Sequence, residues 1–500
     1  AVCVYPPEDL LFHAGLREQV ADAMAEICAA TDGVTAIVGF PEYDGELIYN
    51  AAAVFANGAE IGRYRKQCLP NYAVFDEERY FTPGRESLVV DVGSARVGVT
   101  ICEDVWEAEP CRLAAAAGAQ IVVSINGSPF RTGKQALRES VLADRCADTG
   151  LPLVYQNATG GQDELVFDGG SCVLAADGST RLRAPAFDEG LYLADFAAER
   201  ERWVPQAGEL APLAEEEQSI YSALVCGVRD YVSKNGFPGV VLGLSGGIDS
   251  ALTLAIAVDA LGGERVQAIM MPYRWTAAIS QADAAEQARR LGVDYQVLPI
   301  ETMVSATSAT LAELFDGLQA DATEENIQSR CRGMLLMAVS NKTGRMVLAT
   351  GNKSEMAVGY ATLYGDMAGG FAPIKDCPKT LVYRLARYRN EQSQAIPQRV
   401  IERPPSAELA PDQKDTDSLP PYEVLDGILA ALMLEDLSVD EIIARGFDAE
   451  TVLEVVGLVR RNEYKRRQAP PGVRISGRAF GRDWRYPITS GYRHRSRSPD

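Results

Sequence analysis

A glycine-rich hexapeptide, SGGIDS at residues 245–250, joins an apolar run at 240–244 to a helical pattern. The apolar run predicts a strand that is buried on both faces, as in a parallel sheet. The two glycines would let the backbone approach a ligand closely, and the free N–H groups and positive dipole end of the next helix favour an anion. Asp249 would repel a bare phosphate, but it can act through Mg²⁺. The stretch therefore predicts a phosphate site; a strand–turn–helix corner without a ligand is the alternative.

A second set of chemically useful residues lies in the first half of the chain. Cys102 ends the predicted strand 95–102, just before a helical pattern, and the segment 62–84 supplies Lys66 and Glu77. Backbone N–H groups at the start of a helix would lower the pKa of this thiol, and the strand end would expose it at the edge of the sheet. These residue types suit nucleophilic catalysis without histidine. By itself, a cysteine at such a position can equally be an inert thiol of the core.

The composition limits the classes of protein to which the chain can belong. Its 500 residues exceed the size at which a single core keeps growing, so we expect at least two domains. A hydrophobic content of 47% and a charged content of 23% are typical of a globular protein. The net charge of -21 argues against a nucleic-acid partner, because phosphate neutralisation needs clustered Lys and Arg. His13 and His494 are the only histidines, which nearly excludes catalysis or metal binding by histidine.

The distribution of apolar residues and cysteines predicts the compartment. No apolar run reaches the roughly 18 residues of a membrane span, so we expect no membrane partner. The ten cysteines lie mostly within apolar runs. This pattern predicts reduced thiols and a cytoplasmic protein.

Hydrophobic periodicity predicts two α/β series along the chain. In the first series, strands are predicted at 36–40, 50–56, 95–102, 120–126 and 151–157, and helices at 14–30, 107–118 and 134–149. In the second series, strands are predicted at 239–244, 266–272, 295–300 and 346–352, and helices from 219, from 249, at 280–291 and at 324–341. Between the two series the periodicity is lost. We therefore expect a first domain at 1–205, a linker at 206–218 and a second domain at 219–500.

The hexapeptide at 245–250 resembles the pyrophosphate-binding loop of the N-type ATP pyrophosphatases. These enzymes split ATP between its α and β phosphates and adenylate a carboxyl, an amide or a base. Three further strings, ENIQSRCRGMLLM (325–337), VLATGNKSEMAVGYATLYGDMAGGFAPIKDCPK (347–379) and NEYKRRQAPPGVRISGRAFGRDWRYPIT (462–489), resemble the synthetase domain of NAD synthetases. This resemblance implies a Rossmann-like domain with a parallel sheet, which binds ATP and Mg²⁺.

The same resemblance implies roles for individual residues. The residues implied in ATP binding are Gly243, Leu244, Ser245, Gly246, Gly247, Ile248, Asp249, Ser250, Thr350 and Lys379. Asp249 and Glu355 would bind Mg²⁺. The residues implied in binding the nicotinate-bearing dinucleotide, deamido-NAD, are Asn326, Arg330, Glu355 and Lys465. Taken singly, each of these could be a solvated charge, a helix cap or a turn residue.

In the first half, the strings GRYRKQCLPNYAVFDEERYFTPG (62–84) and ARVGVTICEDVW (95–106) resemble the nitrilase-superfamily glutaminase domain of glutamine-dependent NAD synthetases. The resemblance implies an αββα sandwich and a catalytic set without histidine. Cys102 would attack the carboxamide of glutamine, Lys66 would stabilise the oxyanion, and Glu77 would be a supporting carboxylate. The residues implied in binding glutamine are Tyr72, Ser128 and Lys134.

The start of the chain departs from the pattern of this family. The family's general-base glutamate lies in a PEL string a few residues before GYPPEDL, whereas this chain opens AVCVYPPEDL, with Val4 in place of the usual glycine. That glutamate, and the family's first strand and helix, would fall upstream of the first residue. We therefore expect an incomplete sandwich that hydrolyses glutamine poorly or not at all. Glu42, in the string GFPEY, is interpreted as a structural residue.

The prediction is an α/β enzyme that amidates deamido-NAD to NAD, with ATP as co-substrate and ammonia from glutamine. An adenylated dinucleotide would be the intermediate, and AMP and pyrophosphate would be released. The expected partners are these small molecules and, by family resemblance, further copies of the chain in a homo-oligomer. Three alternatives are an amidotransferase with the same loop acting on a different carboxylate or nucleotide, a tRNA-modifying enzyme, and a non-catalytic ligand sensor. The nitrilase-like half argues against the first alternative, and the negative net charge argues against the second. Asp249 and Glu355 are both present, which argues against a non-catalytic sensor.

Overall fold

A computed structural model describes residues 2–200 and 202–492. Two compact units make up this part of the chain. The first contains the described residues up to Gln162 together with Phe167–Glu215. The second contains Asp163–Val166 and the described residues from Glu216 onward. Each unit is an α/β structure with its own buried clusters of apolar side chains.

The elements before residue 216 alternate strands and helices. The strands are β1 (Thr35–Asp44), β2 (Leu47–Ala56), β3 (Ala59–Arg65), β4 (Leu88–Val92), β5 (Ala95–Ile101), β6 (Ile121–Asn126), β7 (Leu153–Asn157), β8 (Thr159–Gln162), β9 (Leu165–Asp168), β10 (Cys172–Leu174), β11 (Thr180–Arg183), β12 (Phe196–Glu199) and β13 (Arg202–Pro205). The helices are α1 (Ala14–Ala29), α2 (Ala108–Ala116) and α3 (Lys134–Thr149), with short 3₁₀ segments at Glu8–Phe12, Glu77–Arg79 and Cys102–Val105.

The first unit is layered as helix, sheet, sheet, helix. One sheet has the antiparallel order β1–β2–β3, and another has the order β11–β10–β7–β6–β5–β4, in which β5, β6 and β7 are parallel. Val54 and Val99 pack between these two sheets. Met24 of α1 packs on the outer face of the first sheet, and Leu142 of α3 packs on the outer face of the second. These are the αββα layers predicted from the sequence.

The elements from residue 216 onward build the second unit. The strands are β14 (Val240–Gly243), β15 (Val266–Met270), β16 (Asp294–Val297) and β17 (Met346–Leu348). The helices are α4 (Glu216–Lys234), α5 (Ile248–Leu261), α6 (Ala278–Leu291), α7 (Glu301–Leu311), α8 (Ala322–Thr343), α9 (Lys353–Val358), α10 (Lys379–Gln392), α11 (Gln398–Glu402), α12 (Tyr422–Met433), α13 (Val439–Ala444), α14 (Ala449–Arg461) and α15 (Glu463–Arg466). Short 3₁₀ segments lie at Gly263–Arg265 and Asp415–Asp417.

A parallel sheet positions the phosphate-binding loop of the second unit. Its order is β16–β15–β14–β17, and every neighbouring pair is parallel. Val240, Val241 and Leu242 of β14 are each 0% exposed, which confirms a strand buried on both faces. Ligands of open parallel sheets bind beyond the carboxyl ends of the strands, and the hexapeptide at 245–250 lies at that end of β14.

The predicted elements match the observed ones closely. The predicted helix at 134–149 coincides with α3, and the helix predicted at 280–291 ends at the left-handed Gly292. The predicted strand 95–102 is shorter, because Cys102 begins a 3₁₀ segment instead of ending β5. Among the described residues, every helix is too short or too polar to cross a bilayer.

Candidate active sites

The glycine-rich loop of the second unit has a backbone conformation that requires glycine. Gly246 has a φ of +81°, and a Cβ there would lie 2.3 Å from the carbonyl oxygen of Ser280. The hydroxyls of Ser245 and Ser250 lie 3.0 Å apart, and the backbone N–H of Gly247 donates to Ser245 Oγ at 3.2 Å. The loop therefore curls tightly at the start of α5, where backbone N–H groups favour an anion.

A cavity of about 280 Å³ opens at this loop. Of the residues predicted to bind ATP, those lining the cavity are Gly243, Leu244, Ser245, Gly247, Ile248, Asp249, Ser250, Thr350 and Lys379. Glu355 of α9 also lines it. Gly246 does not line the cavity; it lets the loop pack closely against Ser280. The structure thus brings residues from two separate strings of the sequence, 243–250 and 347–379, to one cavity.

Two carboxylates and one ammonium meet at the edge of this cavity. Lys379 Nζ lies 2.6 Å from Asp249 Oδ2 and 3.0 Å from Glu355 Oε1. Asn352 Nδ2 donates to the other oxygen of Asp249 at 2.8 Å. Burial raises the pKa of Glu355 to about 7, the ammonium of Lys379 opposes that shift, and the charge of Asp249 adds to it. Asp249 and Glu355 are therefore close in space, as the predicted magnesium site requires.

The donor set at this edge fits a hard divalent cation. Carboxylate oxygens are the protein ligands that Mg²⁺ prefers, and the close approach of an ammonium shows that the pair stabilises positive charge. Within the described residues, no group of three or more His, Cys, Asp and Glu side chains could hold a metal ion. Asp249 and Glu355 alone would leave most of the coordination of Mg²⁺ to phosphate oxygens and water, which is how this ion is usually bound with nucleotides.

Three of the residues predicted to bind deamido-NAD gather around the segment that follows α9. Asn326 Oδ1 accepts from the hydroxyl of Thr362 at 2.7 Å, and Arg330 Nε donates to the carbonyl of Leu363 at 3.2 Å. Lys465 Nζ donates to the carbonyls of 359 and 361, both at 2.8 Å. None of the three lines the cavity, but Tyr360 and Ala361 of the segment that they contact do. The structure therefore places them together, behind a segment that borders the cavity.

The nucleophile predicted in the first unit sits in a strained turn. Cys102 has a φ of +46°, a value that few residues other than glycine adopt, and its residue exposure is 6%. Burial raises the pKa of its thiol to about 11, although the positive charge of Lys66 acts in the opposite direction. The expectation of an exposed thiol with a lowered pKa is therefore wrong. The short 3₁₀ segment turns the side chain into the protein, where desolvation outweighs the helix N–H groups.

Asp104 holds this turn against the strand that carries Lys66. Its Oδ2 accepts from the backbone N–H of Ile101 at 3.0 Å and from the hydroxyl of Tyr64 at 2.8 Å. Its Oδ1 accepts from the backbone N–H of Cys68 at 2.9 Å. Since the carboxylate is buried and fully engaged, it fixes the strained turn of the nucleophile relative to Lys66.

Lys66 and Glu77 form a buried ion pair beside the nucleophile. Lys66 Nζ lies 2.6 Å from Glu77 Oε2, and the two residues are 1% and 4% exposed. The hydroxyl of Tyr5 donates to the other oxygen of Glu77 at 2.6 Å, and Asn50 Nδ2 donates to it at 3.3 Å. The charges of both members of the pair influence the pKa of Cys102. The structure thus brings the predicted cysteine, lysine and glutamate together.

Two of the three remaining predicted residues, Tyr72 and Lys134, lie beside the acid that follows the nucleophile. The hydroxyl of Tyr72 donates to Glu103 Oε1 at 2.9 Å, and Lys134 Nζ lies 3.8 Å from the ring centroid of Trp106. Glu103 and Lys134 are close enough for each charge to shift the pKa of the other group. Ser128 is 3% exposed, and its backbone N–H is held by the side chain of residue 157.

Glu42 takes part in a separate ion pair. Arg63 NH1 lies 2.9 Å from Glu42 Oε1, and Arg65 Nε lies 2.7 Å from Oε2. Burial raises the pKa of Glu42, but the hydrogen bonds from the two arginines outweigh this and lower it overall. Both oxygens of this carboxylate are engaged, which agrees with a structural residue.

Comparison with known proteins relates both units to described families. Residues 220–469 match the NAD synthase family, and residues 4–206 match the carbon-nitrogen hydrolase family. The glutamine-dependent NAD(+) synthetase of Acinetobacter baylyi is 50% identical over 496 residues, which cover 99% of this chain and 91% of that protein. The enzyme of the same name from Xanthomonas campestris pv. campestris is 51% identical, with 98% and 90% covered.

The chain belongs to the glutamine-dependent NAD(+) synthetase family. Solved structures agree with this assignment. The glutamine-dependent NAD+ synthetase of Acinetobacter baumannii, in complex with ADP, matches with a TM-score of 0.78 and 48% identity, covering 99% of this chain and 91% of that one. A glutamine-dependent NAD(+) synthetase from Cytophaga hutchinsonii shares the fold, with a TM-score of 0.82 at 23% identity over 97% of this chain and 90% of that one.

Membership of the glutamine-dependent NAD(+) synthetase family confirms the main predictions from the sequence. These are the family itself, the α/β fold class with a nitrilase-like half and a parallel-sheet half, and the ligase activity. ATP is the co-substrate, and Mg²⁺ is typical of the family. The roles of individual residues rest on the geometry above.

The structure adds residues that the sequence did not single out. Glu103 directly follows the nucleophile in the string CED, and this adjacency was the available signal. Arg332 lines the cavity and donates from Nε to the carbonyl of Met271 at 3.0 Å. Two positions separate it from Arg330, so the two side chains leave α8 in different directions, and only Arg332 reaches the cavity.

Arg403 is a further residue of the cavity wall that the sequence did not indicate. Its NH2 group donates to the carbonyl of Gly246 at 3.0 Å, and its NH1 group donates to the hydroxyl of Ser280 at 2.8 Å. It follows α11 in a proline-rich segment, whose composition gives no periodic signal to place it. A guanidinium therefore lies directly against the phosphate-binding loop.

The Gly246→Ala variant should bind ATP at least about tenfold more weakly. A non-glycine residue at a positive φ costs of order 1–3 kcal/mol, and the added methyl would also collide with Ser280. Isothermal titration calorimetry with ATP and Mg²⁺ measures this change. The matched control is Gly457→Ala in α14, where a Cβ meets nothing within 4 Å. Equal ATP affinity in the Gly246 variant and its control would contradict the assigned role of the loop.

Proposed function

We propose that these two sites carry out the two halves of one amidation. In the overall reaction of this family, deamido-NAD, ATP, glutamine and water give NAD, AMP, pyrophosphate and glutamate. The observation that supports the proposal most directly is the meeting of Asp249, Glu355 and Lys379 at a cavity edged by the glycine-rich loop. Carboxylates, an ammonium and free N–H groups are the groups that bind a nucleotide triphosphate with its metal.

At the synthetase site, the loop at 245–250 and Thr350 would hold ATP, with Lys379 near its phosphates. Asp249 and Glu355 would hold Mg²⁺, which when bound neutralises charge on the phosphates. The nicotinate carboxylate attacks the α-phosphorus and expels pyrophosphate. Ammonia then attacks the carbonyl carbon of the adenylate and expels AMP.

The residues that would bind deamido-NAD come from several elements of the second unit. They are Asn326, Arg330, Glu355 and Lys465. Arg330 and Lys465 add positive charge, which suits the pyrophosphate of a dinucleotide. Arg330 and Lys465 both donate to carbonyls of the segment 359–363, which supports one shared binding surface.

At the glutaminase site, Cys102 would attack the carboxamide carbon of glutamine. Because burial holds the pKa of the thiol at about 11, the thiol must give its proton to a base as it attacks. The ammonium of Lys66 would stabilise the oxyanion, and Glu77 keeps that ammonium charged and in place. Collapse of the tetrahedral intermediate releases ammonia, and water then frees glutamate from the thioester.

Glutamine itself would be held by complementary charges and hydroxyls. Glu103 can accept hydrogen bonds from the α-ammonium of glutamine, and Lys134 can donate to its α-carboxylate. The side chains of Glu103 and Lys134 lie close enough together to bind both groups of one amino acid. Tyr72, which donates to Glu103, and Ser128 would complete the site. Burial lowers the pKa of Lys134 to about 8, so the charge of this group changes within the range of an ordinary kinetic assay.

The KM for glutamine should rise about tenfold between pH 7 and pH 9. Burial, together with Arg131 and Arg138, lowers the pKa of Lys134 to about 8, so the ammonium is present below that pH and lost above it. Steady-state glutaminase kinetics measure the change. The Lys134→Arg variant keeps its charge over this range, so its KM should show only the smaller rise that comes from titration of the substrate. A parallel rise in both proteins would contradict the role of Lys134.

The synthetase unit would form a homo-oligomer through one face of α8. Met334 and Met337 are 59% and 40% exposed there, and Arg330 is exposed on the same face. Residues three positions apart are neighbours on a helix, and exposed apolar side chains that form a patch mark sites of protein–protein contact. Light scattering should show Met334→Glu to be smaller than the unsubstituted protein. Leu314→Glu, at a residue that is 74% exposed on another segment, should keep its size. An unchanged size for Met334→Glu would contradict this interface.

A cytoplasmic location is proposed from the cysteines. No disulfide joins them in the described part of the chain, although several are buried in apolar surroundings. Reduced thiols in such number are typical of a reducing compartment.

NAD formation from deamido-NAD, assayed with glutamine and with ammonium in parallel, tests the division of labour. Cys102→Ala should abolish glutamine-dependent activity, whatever its level in the unsubstituted protein, because the nucleophile is gone, and should keep ammonium-dependent activity. Glu355→Gln should lose both. Glutamine-dependent activity that survives in Cys102→Ala, or ammonium-dependent activity that survives in Glu355→Gln, would overturn the assignment.

A further inference from the structure

Lys379 is held by the same two carboxylates that would bind Mg²⁺. It is the first residue of α10, and its side chain is only 2% exposed. Its Nζ lies 2.6 Å from Asp249 Oδ2 and 3.0 Å from Glu355 Oε1, on residues contributed by α5 and α9. Three separate helices therefore converge on one ammonium.

The contacts of Asp249 leave one oxygen for a cation. Asn352 Nδ2 donates to Oδ1, so Oδ2 is the oxygen that remains, and Lys379 is bonded to that oxygen. Magnesium binds carboxylate oxygens at about 2.0–2.1 Å. An ion on Asp249 Oδ2 and Glu355 Oε1 would therefore lie within a few ångströms of the ammonium. Two cations at that separation in a buried site repel each other strongly.

The side chain of Lys379 also lines the cavity that takes the nucleotide. Ser245, Gly247 and Thr350 line the same cavity. The phosphates of ATP would bring several negative charges to this place, and the flexible four-carbon stem of lysine lets the ammonium follow them. Such a movement would free both carboxylate oxygens.

We propose that Lys379 and the divalent cation compete for Asp249 and Glu355, so that the ion binds strongly only when ATP draws the ammonium toward its phosphates. This rests on the proposed function of the loop. The lysine then acts as a built-in counter-ion as well as a phosphate ligand. Binding of metal and of nucleotide become coupled, because each favours the arrangement that the other needs.

Binding of Mn²⁺ alone, followed by electron paramagnetic resonance without nucleotide, tests the competition. Manganese is the probe because it shares the preference of magnesium for carboxylate oxygens. Lys379→Gln removes the charge but keeps a hydrogen-bond donor, and should bind Mn²⁺ at least tenfold more tightly than the unsubstituted protein. Lys379→Met should show the same gain. The double variant Lys379→Gln with Asp249→Asn should lose it.

The chain offers a matched control in Lys353. This lysine is also buried, and within the residues that the structure describes its Nζ pairs with one carboxylate, that of Asp376, at 2.7 Å. It also donates to the hydroxyl of Ser476. Lys353→Gln should therefore gain no affinity for Mn²⁺.

Three results would overturn the competition. They are equal Mn²⁺ affinity in the unsubstituted protein and both Lys379 variants, an equal gain in Lys353→Gln, and a gain that survives in the double variant. Ammonium-dependent NAD formation by the unsubstituted protein, measured on the same preparation, reports the proposed function separately. Activity in that assay with no difference in Mn²⁺ binding would leave the function standing and remove only the competition.

Discussion

The balance of charge at the carboxyl edge of the parallel sheet is the constraint on which the synthetase unit depends. A loop that binds phosphates needs positive potential, yet it carries Asp249 in the first turn of its helix and Glu355 nearby. Without a cation, two partly buried carboxylates so close together repel each other and the phosphates alike. Lys379 supplies that cation from the start of α10. The fold of this unit therefore has to bring α5, α9 and α10 to one point before any nucleotide can bind.

The glutaminase unit solves a similar problem with different elements. Lys66 at the end of β3 is buried against Glu77, and Tyr5 and Asn50 occupy the other oxygen of that glutamate. The pair keeps an ammonium charged next to a thiol that is itself neutral. In each unit, acidic partners keep a buried lysine protonated. The ammonium can then stabilise an anion that forms or binds during the reaction. Such pairs are costly to break, since removal of one partner leaves the other charge buried and alone.

Much of this arrangement could be predicted from the sequence. The buried strand before the loop was evident from the unbroken apolar run of β14, and the helices α3 and α6 from their periodicity. The types and spacing of the glycines and of Asp249 in the loop were enough to indicate a site for phosphate and a metal ion. The burial of individual side chains could not be predicted in the same way. The sequence pattern puts Cys102 at an exposed strand end. It cannot show the strained turn that buries this residue, because that turn depends on contacts of Asp104 with residues more than thirty positions away.

Residues in aperiodic segments were also missed for a physical reason. Arg403 reaches the loop from a proline-rich stretch, and only the tertiary packing of that stretch against α6 brings it there. Arg330 and Arg332 are two positions apart on α8, so their side chains lie on different faces of the helix. Arg332 lines the cavity, whereas Arg330 contacts the carbonyl of Leu363. The sequence string contained both arginines but not the orientation of α8. Patterns of residue types thus identify which chemistry is present, whereas the direction of each side chain follows from packing.

A comparison of the buried lysines explains why charge alone does not define a metal site. Lys353 lies against Asp376, whose second oxygen accepts from the backbone N–H groups of Ile475 and Ser476. Those bonds tie the carboxylate to a neighbouring segment and leave it no freedom to take an ion. In the described part of the chain, Asn352 is the single donor to the other oxygen of Asp249, and Glu355 lines the cavity. The ion pair of Lys353 therefore holds two segments together, whereas the ion pair of Lys379 can be exchanged for a metal ion. The difference lies in the number of hydrogen-bond donors that each carboxylate already binds.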